Sequence, residues 1–591
     1  MAVFIDVECY KDYFLFCAKN SKSGKITTIP MHADCELNKE LLREILKVEL
    51  ISFNGNNYDL PIISGALAGW DCQKLHKLSN EIILSDKPTY QILKDKDLTV
   101  KKYNHIDLIE VAIGVASLKI YGGRLHTQKM QDLPIDPQSS ISPEQREILE
   151  LYCQNDLELT ELLYNKLLPQ INLRREMKVT YGMDLRSKSD AQIAETIIKS
   201  ELNAITNDTY SPTDYEEGFV FNYKDPLIIS FKNLELVNIY NSLLEQEFTL
   251  SAKGSVQMPT WLARQKIKIG NTIYKMGIGG LHSCEKSQLV KASSTYLISD
   301  FDVTSFYPSI ILQQELYPEN MGTNFLTLYQ SIVDRRIAAK RDKNTVEADV
   351  LKIVLNGSYG KFGSRFSALY SPELLLQTTL TGQLSLLMLI ETLEENNIQV
   401  VSANTDGIVT KYRAEDSELV QKLLAEWTLK TTYNLEQTDY RIIASRDVNN
   451  YLAVKTDGKT KGKGCFADPS LSKNPDGQII YEAVIAKIAS GKPISQTIKK
   501  CTDITKFVTV RTVTGGARWQ DTYLGKAIRF YHTSIPELKE VTITYAKNGN
   551  KVPLSLGCMP LMDLPDTFPT DIDYEYYIMK ANELLTGVGY A

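Results

Sequence analysis

The chain has 591 residues, which predicts roughly three to five domains at about 100–200 residues each. Hydrophobic residues make up 43% and charged residues 23%, values that exclude a wholly disordered or collagen-like chain. The formal net charge is −6, from 66 basic and 72 acidic residues. A nucleic-acid-binding protein would more simply be basic, so the placement of charge matters more here than its sum.

Several kinds of segment are not expected in this chain. It has no run of about 18 or more apolar residues, so no transmembrane helix is predicted. The N-terminal segment carries Asp6 and Glu8 and no basic region, unlike a signal peptide. The nine cysteines are scattered without a CxxC pair. That spacing argues against a zinc ribbon or a disulfide framework and fits a reducing, intracellular setting.

The chain opens with a predicted β-strand that ends in two acids. Asp6 and Glu8 lie two residues apart, so their side chains share one face of the strand. Helical patterns around 38–48 and 143–167 follow, with strands between them. The pattern predicts an α/β domain over residues 1–175.

Two further carboxylates of this domain stand near aromatic or amide residues. Asp59 follows Asn54 and Tyr58 in a polar turn that leads into an apolar run. Asp156 lies on a predicted helix, with Tyr152 one turn earlier on the same face. Four converging carboxylates would hold two divalent metal ions about 4 Å apart and activate water for attack on a phosphodiester.

The order of these residues resembles the three exonuclease motifs of family B DNA polymerases. The resemblance implies an RNase H-like 3′–5′ exonuclease domain in which Tyr152 orients the attacking water. The implied metal ligands are Asp6, Glu8, Asp59 and Asp156. The implied contacts to single-stranded DNA are Asn54, Tyr58, Ser117, Leu118 and Lys129. The last three match the family more loosely and fit ordinary surface positions as well.

A second pair of aspartates lies at a predicted strand end and in a predicted hairpin. An apolar strand from Tyr296 runs into Asp300 and Asp302, and Asp406 forms an Asp-Gly step between two apolar runs. Two aspartates on adjacent strands would bind two Mg²⁺ ions. One ion lowers the pKa of a primer 3′-hydroxyl and the other escorts a triphosphate.

These two segments resemble the polymerase palm motifs DxxSLYPS and DTDS. The resemblance implies that Asp302, Asp406 and the backbone carbonyl of Val303 ligate the metals. It also implies that Tyr307 rejects a ribose 2′-hydroxyl. The sequence departs from the family at Asn404, where a first aspartate is usual. Because Asp406 keeps the essential second aspartate, the departure puts the fine tuning of the metal site in doubt, but not the reaction itself.

Two helices are predicted over 326–341 and 346–360, with Thr345 as the N-cap of the second. Arg336 and Lys340 lie one turn apart on the first helix. The second helix resembles the family's K-x3-N-S-x-Y-G motif. The implied nucleotide-binding residues are Val303, Tyr307, Arg336, Lys340, Lys352, Asn356 and Tyr359. The alternative for the first helix is a solvated basic face.

Two more segments resemble DNA-contacting motifs of the family. Gly279 and Gly280 lie in a segment like the glycine motif between exonuclease and palm, where they would let the backbone approach the template; an ordinary turn is the alternative. Tyr451 fits the K-x-Y primer-binding signature, although the lysine of that signature is absent. The basic segment 455–464, which includes Lys463, fits either a solvated hairpin or a clamp on duplex phosphates.

The resemblance implies an α/β multidomain protein with an RNase H-like exonuclease domain and a right-hand polymerase with an α+β palm, helical fingers and a mixed thumb. The predicted boundaries are 1–175 for the exonuclease domain, 176–295 for a connecting region and first part of the palm, 296–325 and 362–440 for the palm, 326–361 for the fingers and 441–591 for the thumb. The implied activity is DNA synthesis on a primed template with proofreading. Two Mg²⁺ ions per active site are expected, and Mn²⁺ as a substitute.

Primer-template DNA and dNTPs are the expected partners, with helicase, primase and single-strand-binding protein as further candidates. A monomer without a membrane partner is expected, in the cytoplasm (of a bacterial host if the chain is phage-encoded). Only 50 residues separate Asp302 from Lys352, and another 50 separate Asn356 from Asp406. This spacing leaves no room for the insertions of protein-primed relatives. The alternatives are an exonuclease whose palm only holds DNA, and a non-catalytic replication scaffold.

Overall fold

The structure, a computed structural model, describes residues 2–590, and the chain divides into two units by its internal contacts. The segments of unit 1 are Met1–Ser189, Pro469–Ile480 and Ile498–Ile578; those of unit 2 are Asp190–Asp468, Tyr481–Thr497 and Met579–Ala591. The chain combines helices and strands in both units, as the predicted α/β multidomain fold class requires.

Unit 1 is built on a mixed five-stranded sheet. Its strands are β1 (Ala2–Cys9), β2 (Phe14–Asn20), β3 (Ile26–Met31), β4 (Glu49–Ser52) and β5 (His105–Asp107). The order is β3-β2-β1-β4-β5, in which β1, β2 and β3 pair antiparallel and β1, β4 and β5 pair parallel. The predicted opening strand is therefore the central one, and its Phe4 and Ile5 are 1% exposed.

Seven helices of residues 2–189 accompany this sheet. They are α1 (Lys39–Ile45), α2 (Asp59–Leu67), α3 (Cys72–Leu84), α4 (Thr89–Asp95), α5 (Leu108–Val111), α6 (Leu118–Arg124) and α7 (Pro143–Tyr181). Helix α7 begins at a capping box of Ser142 and Gln145. It ends at Gly182, whose φ of 67° is the left-handed cap that glycine adopts without a Cβ penalty. It packs on β1 and β2.

Unit 2 is built on a ten-stranded antiparallel sheet that joins distant segments of the chain. Its order is β17-β16-β15-β12-β14-β13-β10-β9-β8, and β11 also pairs with β15. Its strands are β8 (Ile267–Ile269), β9 (Thr272–Lys275), β10 (His282–Ser283), β11 (Gln288–Lys291), β12 (Tyr296–Val303), β13 (Gln399–Asn404), β14 (Gly407–Arg413), β15 (Leu435–Asp447), β16 (Asn450–Lys455) and β17 (Thr460–Lys463). A separate pair is formed by β6 (Val220–Asn222) and β7 (Glu247–Thr249).

The helices of unit 2 are α8 (Asp190–Thr206), α9 (Leu234–Glu245), α10 (Thr260–Arg264), α11 (Phe306–Gln313), α12 (Asn324–Arg341), α13 (Thr345–Phe362), α14 (Pro372–Glu395) and α15 (Ser417–Thr431). The two predicted finger helices are thus α12 and α13. The predicted N-cap Thr345 is wrong, because the side chain of Asn344 accepts the hydrogen bond from the Glu347 N–H at 3.2 Å.

Helix α14 is, among residues 2–590, the helix long and apolar enough to cross a membrane. However, 89% of its most apolar 18-residue window is buried inside the protein. Such burial is typical of a core helix.

The remaining elements follow β17 in the chain. The helices α16 (Gln478–Ser490), α17 (Ile494–Lys499) and α18 (Tyr574–Gly587) contribute residues to both units. A four-stranded sheet of unit 1, in the order β20-β18-β19-β21, contains β18 (Thr509–Trp519), β19 (Thr522–His532), β20 (Ile543–Tyr545) and β21 (Cys558–Pro560). The segment predicted as a thumb, 441–591, is therefore divided: β15 and β16 continue the sheet of β12 because they pair with it, and β18 to β21 lie in unit 1.

Candidate active sites

The first candidate site lies at the end of β1 in unit 1. Asp6 and Glu8 share one face of the strand, as predicted, and Cys153 of α7 joins them. One ligand atom from each of the three residues lies within 4.8 Å of the others. The Cys153 thiol lies 3.5 Å from Asp6 Oδ2 and donates to it. Cys153 was not among the predicted site residues; its signal in the sequence is its position next to Tyr152.

Asp59 brings an unpaired carboxylate oxygen to the same cluster. It is the first residue of α2 and is 2% exposed. Its Oδ1 atom is buried and has no hydrogen-bond partner among residues 2–590. Burial, followed by the charge of Asp6, raises the pKa of Asp59 well above its usual value. A buried polar oxygen without a partner is costly, so this atom fits a site completed by a cation.

The remaining carboxylates of this site are crowded as well. Burial and then the charge of Asp156 raise the pKa of Asp6 to about 7. Burial and then Asp6 raise the pKa of Glu8. Four carboxylates supply the oxygen ligands that Mg²⁺ and Mn²⁺ prefer. The residues present therefore fit a divalent-metal site.

A lysine that the sequence analysis did not select reaches this cluster. Lys119 of α6 forms an ion pair with Asp156, and its Nζ lies 4.2 Å from the centroid of the Tyr152 ring. The predicted Lys129 is exposed, and its backbone bridges to that of Asp563 instead. The predicted Ser117 caps α6, accepting from the Ile120 N–H at 3.4 Å. The structure thus brings Lys119, rather than Lys129, to the carboxylates.

Asn54 and Tyr58 lie just before α2, on the approach to Asp59. Asn54 has a φ of 66°, and its N–H donates to Asp107 Oδ1 at 2.7 Å. The Tyr58 hydroxyl shares a 2.9 Å hydrogen bond with Ser79 Oγ. Their contact with single-stranded DNA stays a prediction, as does that of Leu118, which packs partly buried in the core of unit 1.

Asp6→Asn is expected to stabilise the metal-free protein at pH 8 and to have little effect at pH 4. The folded-state pKa of Asp6 is about 7 against an ordinary 3.8. The folded state therefore keeps the Asp6 proton at pH values where the unfolded chain has lost it. The stability that this proton gives the folded state is lost as the pH rises from about 3.8 through about 7. Asparagine removes that loss, worth about 2–4 kcal/mol at most. Thermal unfolding in chelator at both pH values measures it; an equal Tm difference at both would contradict it.

The second candidate site lies in unit 2, where two sheet strands end side by side. Asp302 of β12 pairs with Gly407 of β14, and the Val303 N–H donates to the Asp406 carbonyl at 2.7 Å. Burial and then the charge of Asp300 raise the pKa of Asp302 to about 6. Burial also raises the pKa of Asp406. Two carboxylates that resist being charged together fit a divalent cation.

A third carboxylate and a lysine complete this cluster: Asp300, which had no predicted role, and Lys461, which belongs to the basic segment 455–464. Lys461 of β17 lies with its Nζ 3.1 Å from Asp300 Oδ2 and 3.6 Å from Asp302 Oδ2. The Tyr440 hydroxyl donates to the same Asp300 oxygen at 2.5 Å. Burial lowers the pKa of Lys461, but the two aspartates raise it overall. The ammonium therefore stays charged.

The predicted steric gate and the predicted base-pair contact lie together. The rings of Tyr307 and Tyr359 stack with centroids 4.1 Å apart and an interplanar angle of 16°. The Tyr307 hydroxyl donates to the carbonyl of Gly279 at 2.9 Å. A Cβ on Gly280 would lie 3.0 Å from Thr405 side-chain atoms. The glycine motif therefore packs against the hairpin turn that carries Asp406.

The predicted triphosphate ligands lie on α12 and α13, which contact each other and are joined by residues 342–344. Arg336 Nη1 donates to Ser305 Oγ at 3.0 Å, which places this guanidinium at the start of α11. Lys340, Lys352 and Asn356 are exposed. Their convergence on one triphosphate stays a prediction.

The predicted primer contacts lie across from each other in the sheet. Tyr451 of β16 pairs with Lys463 of β17. Burial lowers the pKa of Lys463, and the carboxylate of Asp406 acts in the opposite direction. This lysine therefore lies near the metal-binding candidates.

Asn404 has a structural explanation for departing from the family's aspartate. Its Nδ2 donates to the carbonyl of Val448 at 2.9 Å, and its Oδ1 accepts from the Thr405 hydroxyl at 3.1 Å. A carboxylate would accept the second bond but cannot donate the first. The asparagine thus ties the β13–β14 hairpin to the turn before β16.

Asn404→Asp is expected to destabilise the protein and bring no gain in polymerisation. The substitution places a carboxylate oxygen against the Val448 carbonyl, where the amide donated before. The expected loss in the free energy of unfolding is about 1–3 kcal/mol. Thermal unfolding measures the effect, with Asn404→Ala as a control that removes the donor without adding charge and costs less. An aspartate variant as stable as the parent would contradict the assignment.

No protein-family model matches the sequence. Over 184 residues, 28% of this chain, it is 24% identical to DNA polymerase 1 of Saccharolobus solfataricus. Over 121 residues it is 27% identical to DNA polymerase 1 of Sulfolobus acidocaldarius. The chain covers 20% of the first relative's length and 13% of the second's.

Among solved structures, the family B DNA polymerase of the hyperthermophilic archaeon Pyrobaculum calidifontis is 15% identical and aligns with 99% of this chain and 77% of its own, with a TM-score of 0.43. The curated relatives are archaeal, whereas a phage-encoded chain was considered above. The similarity of this chain to DNA polymerases, first indicated by its motifs, is confirmed.

Proposed function

We propose that the chain is a DNA-directed DNA polymerase that also degrades DNA from the 3′ end. The observation that carries the proposal is the proximity of Asp302, at the end of β12, to Asp406, in the turn before β14, with the Tyr307–Tyr359 stack in the same unit. Similarity to two curated DNA polymerases supports the polymerase half. The carboxylate cluster around Asp6 supports the exonuclease half.

In the proposed polymerase reaction, the residues of the chain position the substrates. Arg336, Lys340 and Lys352 neutralise the triphosphate, since lysine and arginine are the usual phosphate ligands. Tyr307 limits the space beside the sugar, and its hydroxyl is held by Gly279. Asp302 and Asp406 would hold two Mg²⁺ ions, with Mn²⁺ as a substitute; these ions supply charge neutralisation and activation of the 3′-hydroxyl.

In the proposed exonuclease reaction, Asp6, Glu8, Asp59 and Asp156 would hold the metal ions. Tyr152 is 5% exposed and lies one helical turn from Asp156, a position that suits orienting a water molecule. Lys119 balances part of the carboxylate charge. Degradation of a mispaired 3′ end would make the enzyme a proofreading polymerase, replicative and not protein-primed, and acting with helicase, primase and single-strand-binding protein.

The test is a labelled primer annealed to a longer template, with Mg²⁺. With dNTPs, the primer should be extended; without them, it should be shortened from its 3′ end. If the primer is neither extended nor shortened, in Mg²⁺ or in Mn²⁺, the proposal is overturned. Shortening alone would leave an exonuclease with a non-catalytic palm.

A further inference from the structure

The cluster of Asp300, Tyr440 and Lys461 lies behind the proposed metal ligands of unit 2. Asp300 and Asp302 are two residues apart on β12, so their side chains share a face. The side chain of Asp300 is 6% exposed and that of Asp302 is 47% exposed. The cluster is therefore anchored inside the protein and reaches out to the edge of the site.

Lys461 is held in place from the buried side. In the sheet order, β15 and β16 separate β17 from β12, so this side chain extends across two strands to reach its partners. Asp300 Oδ2 accepts from both the Lys461 ammonium and the Tyr440 hydroxyl. A lysine that only served a solvated hairpin would have no need of a buried carboxylate, because desolvating that carboxylate is costly.

The neighbouring lysine of the same hairpin shows the contrast. Lys459 is 80% exposed and pairs with Asp457 of its own turn at 3.3 Å. Lys461 is half as exposed, at 41%, and pairs with residues about 160 positions away along the chain. Lys459 lies in the turn before β17 and Lys461 lies within the strand, although both belong to the same basic segment.

We infer that Lys461 is a permanent counter-ion of the palm carboxylates. It is anchored by Asp300 and Tyr440 and lies beside Asp302. Its charge weakens the binding of divalent cations to the substrate-free site. With Lys463, it sets two ammonium groups against Asp300, Asp302 and Asp406. The free site then holds little net charge, and divalent cations bind well only together with the added negative charge of a triphosphate. Lys461 is in this sense a positioning residue. The inference rests on the proposed function only in taking Asp302 and Asp406 as the ligands of a divalent cation.

The test is Mn²⁺ binding without nucleotide or DNA, followed by electron paramagnetic resonance. It uses a full-length background in which Asp6→Ala and Glu8→Ala remove the exonuclease site. Lys461→Met should tighten Mn²⁺ binding by roughly tenfold, because a unit charge a few Å from the ion is lost. Lys461→Arg keeps the charge and should stay within about twofold of the background. The matched control Lys459→Met should do the same, since its charge lies in solvent.

A double variant guards against misfolding. Lys461→Met with Asp300→Asn leaves no unpaired buried carboxylate, and it should bind Mn²⁺ within about threefold of the background because both charges are removed together. Unchanged or weaker binding by Lys461→Met would overturn the inference alone, as would a double variant as tight as the single one. If neither the background nor Lys461→Met shows a Mn²⁺ site that Asp302→Asn removes, the metal assignment of the proposed function fails, and the inference with it.

Discussion

Asp406→Ala should abolish primer extension while leaving degradation from the 3′ end. Asp406 lies in the two-residue turn between β13 and β14, where its backbone carbonyl accepts from the Val303 N–H. This bond fixes the turn against the strand end that carries Asp302. Removal of the carboxylate leaves that bond intact and takes away one of the two proposed metal ligands. The expected loss is about a thousandfold or more in extension rate, the scale seen when an essential transition-state stabiliser is removed.

The measurement is single-turnover extension of a primed template with Mg²⁺ and dNTPs. Asp342→Ala is the control, because this aspartate is 62% exposed at the end of α12 and pairs only locally with Arg341; it should extend at the parent rate. Retained 3′ degradation by Asp406→Ala shows that the variant is folded. Normal extension by the same variant would remove Asp406 from the palm site.

The carboxylates of the two candidate sites could be found in the sequence because each lies within a local pattern. Asp6 and Glu8 are set by the period of one strand, and Asp302 by the end of another. The hairpin around Asp406 follows from an Asp-Gly step between apolar runs. In each case a few adjacent residues decide the structure, so the sequence carries the signal.

The lysines were not predictable in the same way, because their partners are far away in the chain. Lys461 belongs to a basic run that fitted a solvated hairpin or a phosphate clamp, yet it pairs with residues of β12. Lys119 pairs with Asp156 across two helices. Whether a surface lysine turns inward depends on which strands become neighbours, and that is a property of the sheet order rather than of local sequence.

The same reason explains the division of the predicted thumb. The pairing of β15 with β12 makes 441–463 part of the sheet that carries Asp302. The chain has a net charge of −6, and seven of its acidic residues gather in two clusters whose charge Lys119 and Lys461 partly balance. The placement of charge, and not its sum, is compatible with DNA as a substrate.

Asp6→Ala combined with Glu8→Ala should abolish 3′ degradation while leaving primer extension at the parent rate. Both side chains lie on one face of β1, and Asp59 and Asp156 contribute the remaining charge. Loss of two of four ligands should remove metal binding. A bound metal would supply the attacking hydroxide in such a site, because it lowers the pKa of its water. The expected loss is about a thousandfold or more.

The control is a second pair with the same spacing in the same unit. Asp34 and Glu36 form another D-x-E sequence, and both are exposed; alanine at both positions should leave degradation unchanged. The assay follows a labelled single strand and a 3′-mispaired duplex in Mg²⁺ without dNTPs. Because each carboxylate cluster lies within its own unit, the exonuclease variant should extend primers normally. Loss of both activities together would mean that Asp6 and Glu8 stabilise the fold instead of serving one reaction.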